Sequence, residues 1–385
     1  MIEISRRVAL AVLVVCLASP LAADSHHPDL AKSQVVTLDA RTIEAYANSS
    51  KPFDLGLGET KVTVVLAPAP VWPEEGLTVV EIAKDGSMKE RLITGNITYA
   101  GKVAGQDPAT TEVRITITRG VLEGYVLAGS DWWFIEPLGR FDPKAGLDQY
   151  LVYKAHDVEA AAYPGPDVKT DQVIDYTRIP TPYIPLAWVA DKEYVDQSGP
   201  GFEWIDRQAA LLNDINGIFK LQTGREFKSR RGVADAGGVF LTSHNHDRLI
   251  VQMVDLVNQL GGVIGFFQSD IAHLTSGKVL NNGVLSASFR RHRFALSQQA
   301  TMLAVRNVIV AARGIGSNYN AGPEEAVEFC LSTPNGCIWL HTIMWPVIDN
   351  HTLPRFSDGT IDPERNNIEL ICAEMSPRGF PCMLP

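Results

Sequence analysis

Cysteine is scarce in this chain, five among 385 residues, and no two of them form a C-x-x-C pair. That excludes a zinc ribbon, whose metal is gripped by such pairs. Positive charge is short too: 34 Lys and Arg face 44 Asp and Glu, a formal net charge of −10. Such a balance argues against non-specific nucleic-acid binding and against docking on an anionic membrane surface. Beyond the N-terminus no apolar run approaches the roughly 20 residues that a bilayer span requires. Internal repeats and low-complexity tracts are absent as well. What remains is a hydrophobic share of 45% and a charged share of 20%. That is the make-up of ordinary globular protein, at a length for which two domains is the expectation.

The N-terminus carries the one long apolar run. "MIEISRR" supplies a basic start, "VALAVLVVCLA" (Val8 to Ala18) is unbroken, and "SPLAAD" offers small residues for cleavage near Ala22 or Ala23. This pattern predicts a secretory signal over residues 1–23, and hence a secreted or periplasmic protein. An uncleaved anchor fits less well because the run is short. Lipidation at Cys16 fits poorly because Val14 and Val15 precede it where small residues are expected. Cleavage leaves Cys330, Cys337, Cys372 and Cys382, an even set near the C-terminus of an exported chain, which favours two disulfides. Three pairings are open; short loops favour Cys330–Cys337 with Cys372–Cys382.

Residues 24–50 read as a mobile lead-in. From Phe53 to about His156, runs such as "TKVTVVLAP", "TEVRITITRG" and "DWWFIEPL" alternate between Gly, Asp and Pro breaks, the pattern of antiparallel strands. "AAAYPGPDVKTDQV" (Ala160 to Val173) has linker composition. After it, apolar residues recur at helical spacing in "GFEWIDRQAALLNDINGIFKLQTG", "HDRLIVQMVDLVNQLGG" and "ALSQQATMLAVRNVIVAARG", with short strand-like runs between them. Gly224 and Gly261 are expected to stop the first two helices, and His246 or Asp247 to cap the second. The expected division is a β-rich module over 24–159, a linker over 160–175 and an α/β domain over 176–385.

Two stretches carry a family resemblance. "YAGKVAGQDPATTEVRITITRGVLEGYVLAGSDWWFIEPL" (Tyr99 to Leu138) resembles the prodomain of the adamalysin/reprolysin metalloproteases, with its Y-x-G-x-V-x-G, G-x-x-G and IEP elements. "PLAWVADKEYV", "DIAHLTSGKVLNNGVLSASF" and "TIMWPVIDNHTLPRFSD" resemble parts of the peptidase domain in the same order, the last with the Met-turn at Met344. The resemblance implies a metzincin-like α/β domain, a twisted mixed sheet with long helices, preceded by a β-rich prodomain-like module. It also implies zinc, held by H-E-x-x-H-x-x-G-x-x-H. Laid on "ARGIGSNYNAGPEE" (Ala312 to Glu325), the three zinc histidines fall on Arg313, Ser317 and Pro323. The general-base glutamate falls on Gly314 and the turn glycine on Asn320. Framework letters persist at Ile315, Gly316, Asn318 and Ala321.

Those replacements remove the chemistry. The motif works because positions i and i+4 share a helix face and present two imidazole lone pairs to one metal. Arg313 has no acceptor and carries a fixed positive charge; Ser317 offers only a neutral hydroxyl; Pro323 offers nothing. Gly314 can take no proton, and a general base alone is worth about 10²–10⁴-fold. The inventory therefore leads to a chain without cofactor that is not an enzyme. It reads as a secreted pseudoprotease that binds peptide or protein in a vestigial cleft, with Gly283, Val284, Leu285 and Ser286 as the edge that pairs with extended peptide. The alternative is an active secreted zinc endopeptidase with non-standard ligands. Among the histidines, "SHNHD" (Ser243 to Asp247) is similar to the H-x-H-x-D-H of metallo-β-lactamases, but its aspartate comes one residue early and the last histidine is missing; a capping loop suits it better. His273 reads as structural, while His341 and His351 flank Met344. "SFRRHRF" (Ser288 to Phe294) is a basic cluster, read as a solvated loop or as a peptide- or acid-binding patch. Neither nucleic acid nor a membrane span is expected, and the oligomeric state is open.

Overall fold

The computed structural model describes residue 27 and residues 29–383. Excepted are 96, 159–162, 165–166, 170–180, 198–202, 290, 300–302, 323–325, 327, 334–335, 345–346, 349–351, 353 and 363. The expected signal segment, most of the expected linker, Pro323 and His351 thus lie outside the described residues.

The chain opens with β1 (Gln34–Thr37) and α1 (Ala40–Asn48). The expectation of a mobile lead-in over 24–50 is corrected here. The Asp39 carboxylate accepts hydrogen bonds from the Arg41 and Thr42 amides, an N-cap. Ala40, Ile43 and Ala47 recur along one face and are buried in a cluster with Leu55, Val64 and Ile115. There follow β2 (Phe53–Leu57), β3 (Thr60–Pro68), β4 (Leu77–Ile82), β5 (Met88–Ile93), β6 (Thr98–Val103), β7 (Thr111–Thr118), β8 (Val121–Ala128), β9 (Asp131–Pro137) and β10 (Gln149–Lys154). Eight of them make an antiparallel sheet in the order β1-β10-β9-β8-β7-β6-β3-β2. Arg119 and Gly120, both at positive φ, form the two-residue turn between β7 and β8, where the backbone twist of the hairpin demands it.

The second half runs β11 (Tyr163–Pro164), β12 (Asp167–Lys169), β13 (Ile184–Ala190), α2 (Lys192–Asp196), α3 (Trp204–Thr223), β14 (Phe227–Lys228), β15 (Arg231–Ala234) and α4 (His246–Gln259). It continues with β16 (Ile271–Ser276), β17 (Ser286–Phe289), β18 (Phe294–Gln298), α5 (Ala304–Asn318), β19 (Glu328–Thr333), β20 (Gly336–His341), β21 (Val347–Ile348) and α6 (Asn367–Met375). A second, nine-stranded sheet has the order β12-β17-β18-β16-β13-β15-β4-β5, with β14 beside β13. Its centre is parallel, and both faces are covered, as such sheets require. Alternation along β13 shows it: Leu186, Trp188 and Ala190 pack with α3 and α5, whereas Ala187 and Val189 pack with α4.

Two features depart from the linear reading. β4 and β5, from the N-terminal side of the expected boundary, pair into the second sheet through β15. The expected peptide-pairing edge is also displaced. Asn281–Gly283 form a 3₁₀ turn and Val284 and Leu285 are buried before the strand begins at Ser286. Gly283 sits at φ +68°, outside the extended region, so no strand can start there.

Candidate functional site

The site is built around α5. Its C-terminus closes as a Schellman motif: the Ala321 amide donates to the Gly316 carbonyl and the Asn320 amide to the Ser317 carbonyl, each at 3.0 Å. Asn320, where the resembled motif has glycine, stands at φ +72°, which asparagine tolerates better than most residues. The Asn318 amide nitrogen donates to the carbonyls of Phe289 and Phe294 and ties α5 to the β17–β18 hairpin. The Tyr319 hydroxyl donates to Asp270 at 2.7 Å, and Asp270 is also held by Arg293 and Arg378. At the other end, the Ala304 amide donates to the Glu136 carboxylate at 2.8 Å. A glutamate of the β-rich half thereby serves the exposed amides of α5, since Leu303 at the N-cap has no side-chain oxygen.

Within this frame the degenerate motif is buried. Arg313, Gly314 and Ser317 all lie in the core. A Cβ on Gly314 would meet Ala295 and His273 of the sheet, whereas one on Gly316 would lie 2.6 Å from the Phe356 ring. Successive helical residues are about 100° apart. Arg313 and Ser317 therefore occupy the arc between those two directions, between the sheet and the segment around Phe356. Arg313 is fully inaccessible, and its Nε, Nη1 and Nη2 find no hydrogen-bond partner among the described residues. The Ser317 hydroxyl, one turn on, has none either. Burial alone pushes the Arg313 guanidinium down to about 9, so it remains a cation at neutral pH.

These side chains do not fit the zinc that the resemblance implies. A guanidinium has no lone pair to give and repels a dication, and a lone serine hydroxyl is a weak ligand. Among the described residues no group of three or more His, Cys, Asp and Glu could hold a metal ion. His273 lies at the back of the site, but it bonds Ser297 at 2.8 Å and stands edge-on to Trp188; burial lowers it to about 3, so it is a neutral core histidine. His244 bonds the Val279 carbonyl. The cap of α4 is Asn245, whose side chain accepts from the Arg248 amide, rather than His246 or Asp247.

Two strand edges belong to this part of the fold. On one side, β17 is the outer strand of the sheet core, and β12 pairs with it in parallel, Val168 opposite Ser288. On the other, β21 follows the turn that holds Met344, which is fully buried as packing, and β11 pairs with β21 in antiparallel fashion, Tyr163 opposite Ile348. Tyr163–Pro164 and Asp167–Lys169, close together in the sequence, thus pair with the two edges. The edge read in the sequence as free is paired within the chain.

Within the basic cluster "SFRRHRF", Arg291 pairs with Glu374 and Arg293 with Asp270. Cys372–Cys382 is a disulfide. The side chains of Cys330, Cys337 and His341 lie outside the described residues, as does the proposed first pairing. Sequence reading missed a buried acidic group at the junction of the two halves. Glu123 and Glu136 share Arg140, and Asp214 of α3 stands beside them, pushed well above the usual carboxylate range by burial and then by Glu123. These residues come from three elements, so no local motif could announce them.

No protein-family model and no curated protein matches the chain. Among solved structures it is similar to the crystal structure of metalloproteinase-II from Bacteroides fragilis, with a TM-score of 0.45 and 10% identity, covering 86% of this chain and 94% of that one. It is also similar to the crystal structure of archaemetzincin from Methanopyrus kandleri, with a TM-score of 0.33 and 15% identity, covering 50% of this chain and 96% of that one. Neither finding reaches the adamalysin/reprolysin branch or its prodomain. The conclusion from residue inventory that the chain is no enzyme is corrected by the same comparison. One structure similar to it is named a metalloproteinase, and the letters replaced at Arg313, Gly314 and Ser317 do not by themselves establish that the chain is no enzyme.

Proposed function

We propose that the region beside α5 forms a metzincin-like cleft that receives an extended polypeptide through main-chain hydrogen bonds to β17 and β21. One observation carries this reading: Tyr163–Pro164 pair with β21 and Asp167–Lys169 with β17, so both edges accept a strand. In this reading the strand is the chain's own linker, 160–175, joining a β-rich module (24–159) to the cleft-bearing part (176–385). Main-chain pairing needs no metal, and the cleft uses none at Arg313 and Ser317, where the side chains supply no ligand. The protein works after export, removed from its signal at residues 1–23; the Cys372–Cys382 disulfide supports an oxidising compartment.

The test is to open the cleft. Val168→Pro with Lys169→Pro removes two successive amide donors, and because successive amides point to opposite sides of a strand, one of them must face β17. A fluorescein-labelled random decapeptide pool should bind this variant about 10-fold more tightly than the natural chain, because the competent state is no longer self-occupied. Equal or absent binding in both would sink the reading. The masses of the recovered peptides report in the same experiment whether bound strands are cut.

A further inference from the structure

Arg313 poses a problem that the cleft alone does not answer. A guanidinium has five N–H donors in a rigid fork, and here none of its three nitrogens is satisfied among the described residues, with no accessible surface left for water. Its helix neighbour on the same face, Ser317, adds a hydroxyl that is equally unused. Buried charges in folded proteins are as a rule paired, because leaving one alone costs several kcal/mol. Two buried acids that tie the end of α5 to the rest of the fold are spent elsewhere: Asp270 on Arg293, Arg378 and Tyr319, and Glu374 on Arg291 and Arg378. Arg313 is thus a buried cation on α5 whose donors find no hydrogen-bond partner among the described residues.

We propose that Arg313 and Ser317 form the floor of a carboxylate-binding subsite, which pairs with an acidic side chain or the C-terminal carboxylate of the polypeptide in the cleft. This deepens the strand-binding reading and rests on it. Where the resembled motif would place a metal dication to draw in a carbonyl oxygen, this chain supplies a fixed organic cation of its own. Its planar fork matches the two oxygens of a carboxylate, and the Ser317 hydroxyl, one turn along the same face, can donate a third hydrogen bond. A lysine could not replace it, since an ammonium is a point charge without the fork. Neutral ligands would leave the guanidinium as unpaired as it is now, so the subsite should discriminate strongly by charge.

The test uses the full chain carrying Val168→Pro and Lys169→Pro, with Arg313 intact or changed to Met or Lys. Decapeptide pools carry either Glu or Gln at one fixed position, and either a free or an amidated C-terminus, which separates the two sources of the carboxylate. With Arg313 present, the acidic or free-acid member of one pair should bind at least about 10-fold more tightly than its neutral twin. The ratio should fall to about one in Arg313→Met, with Arg313→Lys between. Retained binding of the neutral peptides shows that the variants fold. Ratios near one with Arg313 intact, or a preference that survives Arg313→Met, overturn the subsite while leaving the cleft standing. Acetate and inorganic phosphate provide an arm that needs no strand. If no peptide binds, a thermal midpoint that rises with either ion in the Arg313 chain but not in Arg313→Met upholds the anion site alone. No such rise, with no peptide preference, ends both.

Discussion

At the scale of single residues, Arg313 should trade stability for binding. A buried guanidinium without a partner is a standing cost, and a side chain of similar length without charge removes it. Arg313→Met should therefore raise stability by about 1–4 kcal/mol, the range seen when buried ionic groups give way to packed apolar ones. The measurement is the urea midpoint at neutral pH; a loss of stability would mean that the guanidinium is supported in a way its donors do not reveal. The sequence made the identity of this residue plain, but only as a missing ligand. That it is sealed from solvent, and that Ser317 joins it without a partner, depends on Gly314 and Gly316 letting the sheet and Phe356 close on either side. Two glycines in a helix read as weakness on propensity grounds; their value lies in what approaches them, which a linear pattern does not contain.

At the scale of elements, Gly316 decides how α5 seats. An added Cβ would stand 2.6 Å from the Phe356 ring, and Phe356 cannot retreat easily because its amide and carbonyl are both bonded to the Gln222 side chain, at 2.9 and 3.0 Å. Gly316→Ala should thus destabilise by about 1–3 kcal/mol despite the better helix propensity of alanine, as read from the denaturant midpoint; a neutral or stabilising result would mean that the 356 segment yields. Elements with strong periodicity were legible in the sequence. The helix over 204–223 does stop at Gly224, which takes φ +71°, and the strands of the first sheet follow their alternation. What failed was pairing. "GVLSASF" reads as one strand, yet its first three residues lie outside it, and "LTVVEI" looks like its neighbours in sequence although it pairs with β15 in the other sheet. Alternation reports that a face is buried; it does not say against what.

At the scale of the whole molecule, the two halves meet through buried polar groups, and their titration should be visible in the stability of the entire chain. Asn213 donates from α3 to the Tyr99 and Ile115 carbonyls of the first sheet, and Glu136 reaches from β9 to α5. Between them lies Asp214. Burial raises it well above its ordinary value; Glu123 and Glu136 add to the rise, while Arg114 and Arg140 oppose it. The folded state therefore holds this proton more tightly than the unfolded chain, which releases it near pH 3.9. Above that pH the unfolded state binds fewer protons, so the contribution of Asp214 is complete below about pH 4 and stability falls as pH rises toward the folded value. Asp214→Asn cannot titrate and keeps the shape. Its advantage over the natural chain should grow by up to about 1.4 kcal/mol per pH unit from pH 4 upward, measured as urea midpoints of both proteins between pH 4 and 8. Parallel curves would show that Asp214 ionises as freely in the fold as outside it, which its burial beside Glu123 makes physically unfavourable; diverging curves would mark the junction of the halves as the part of the molecule that loosens first as pH rises.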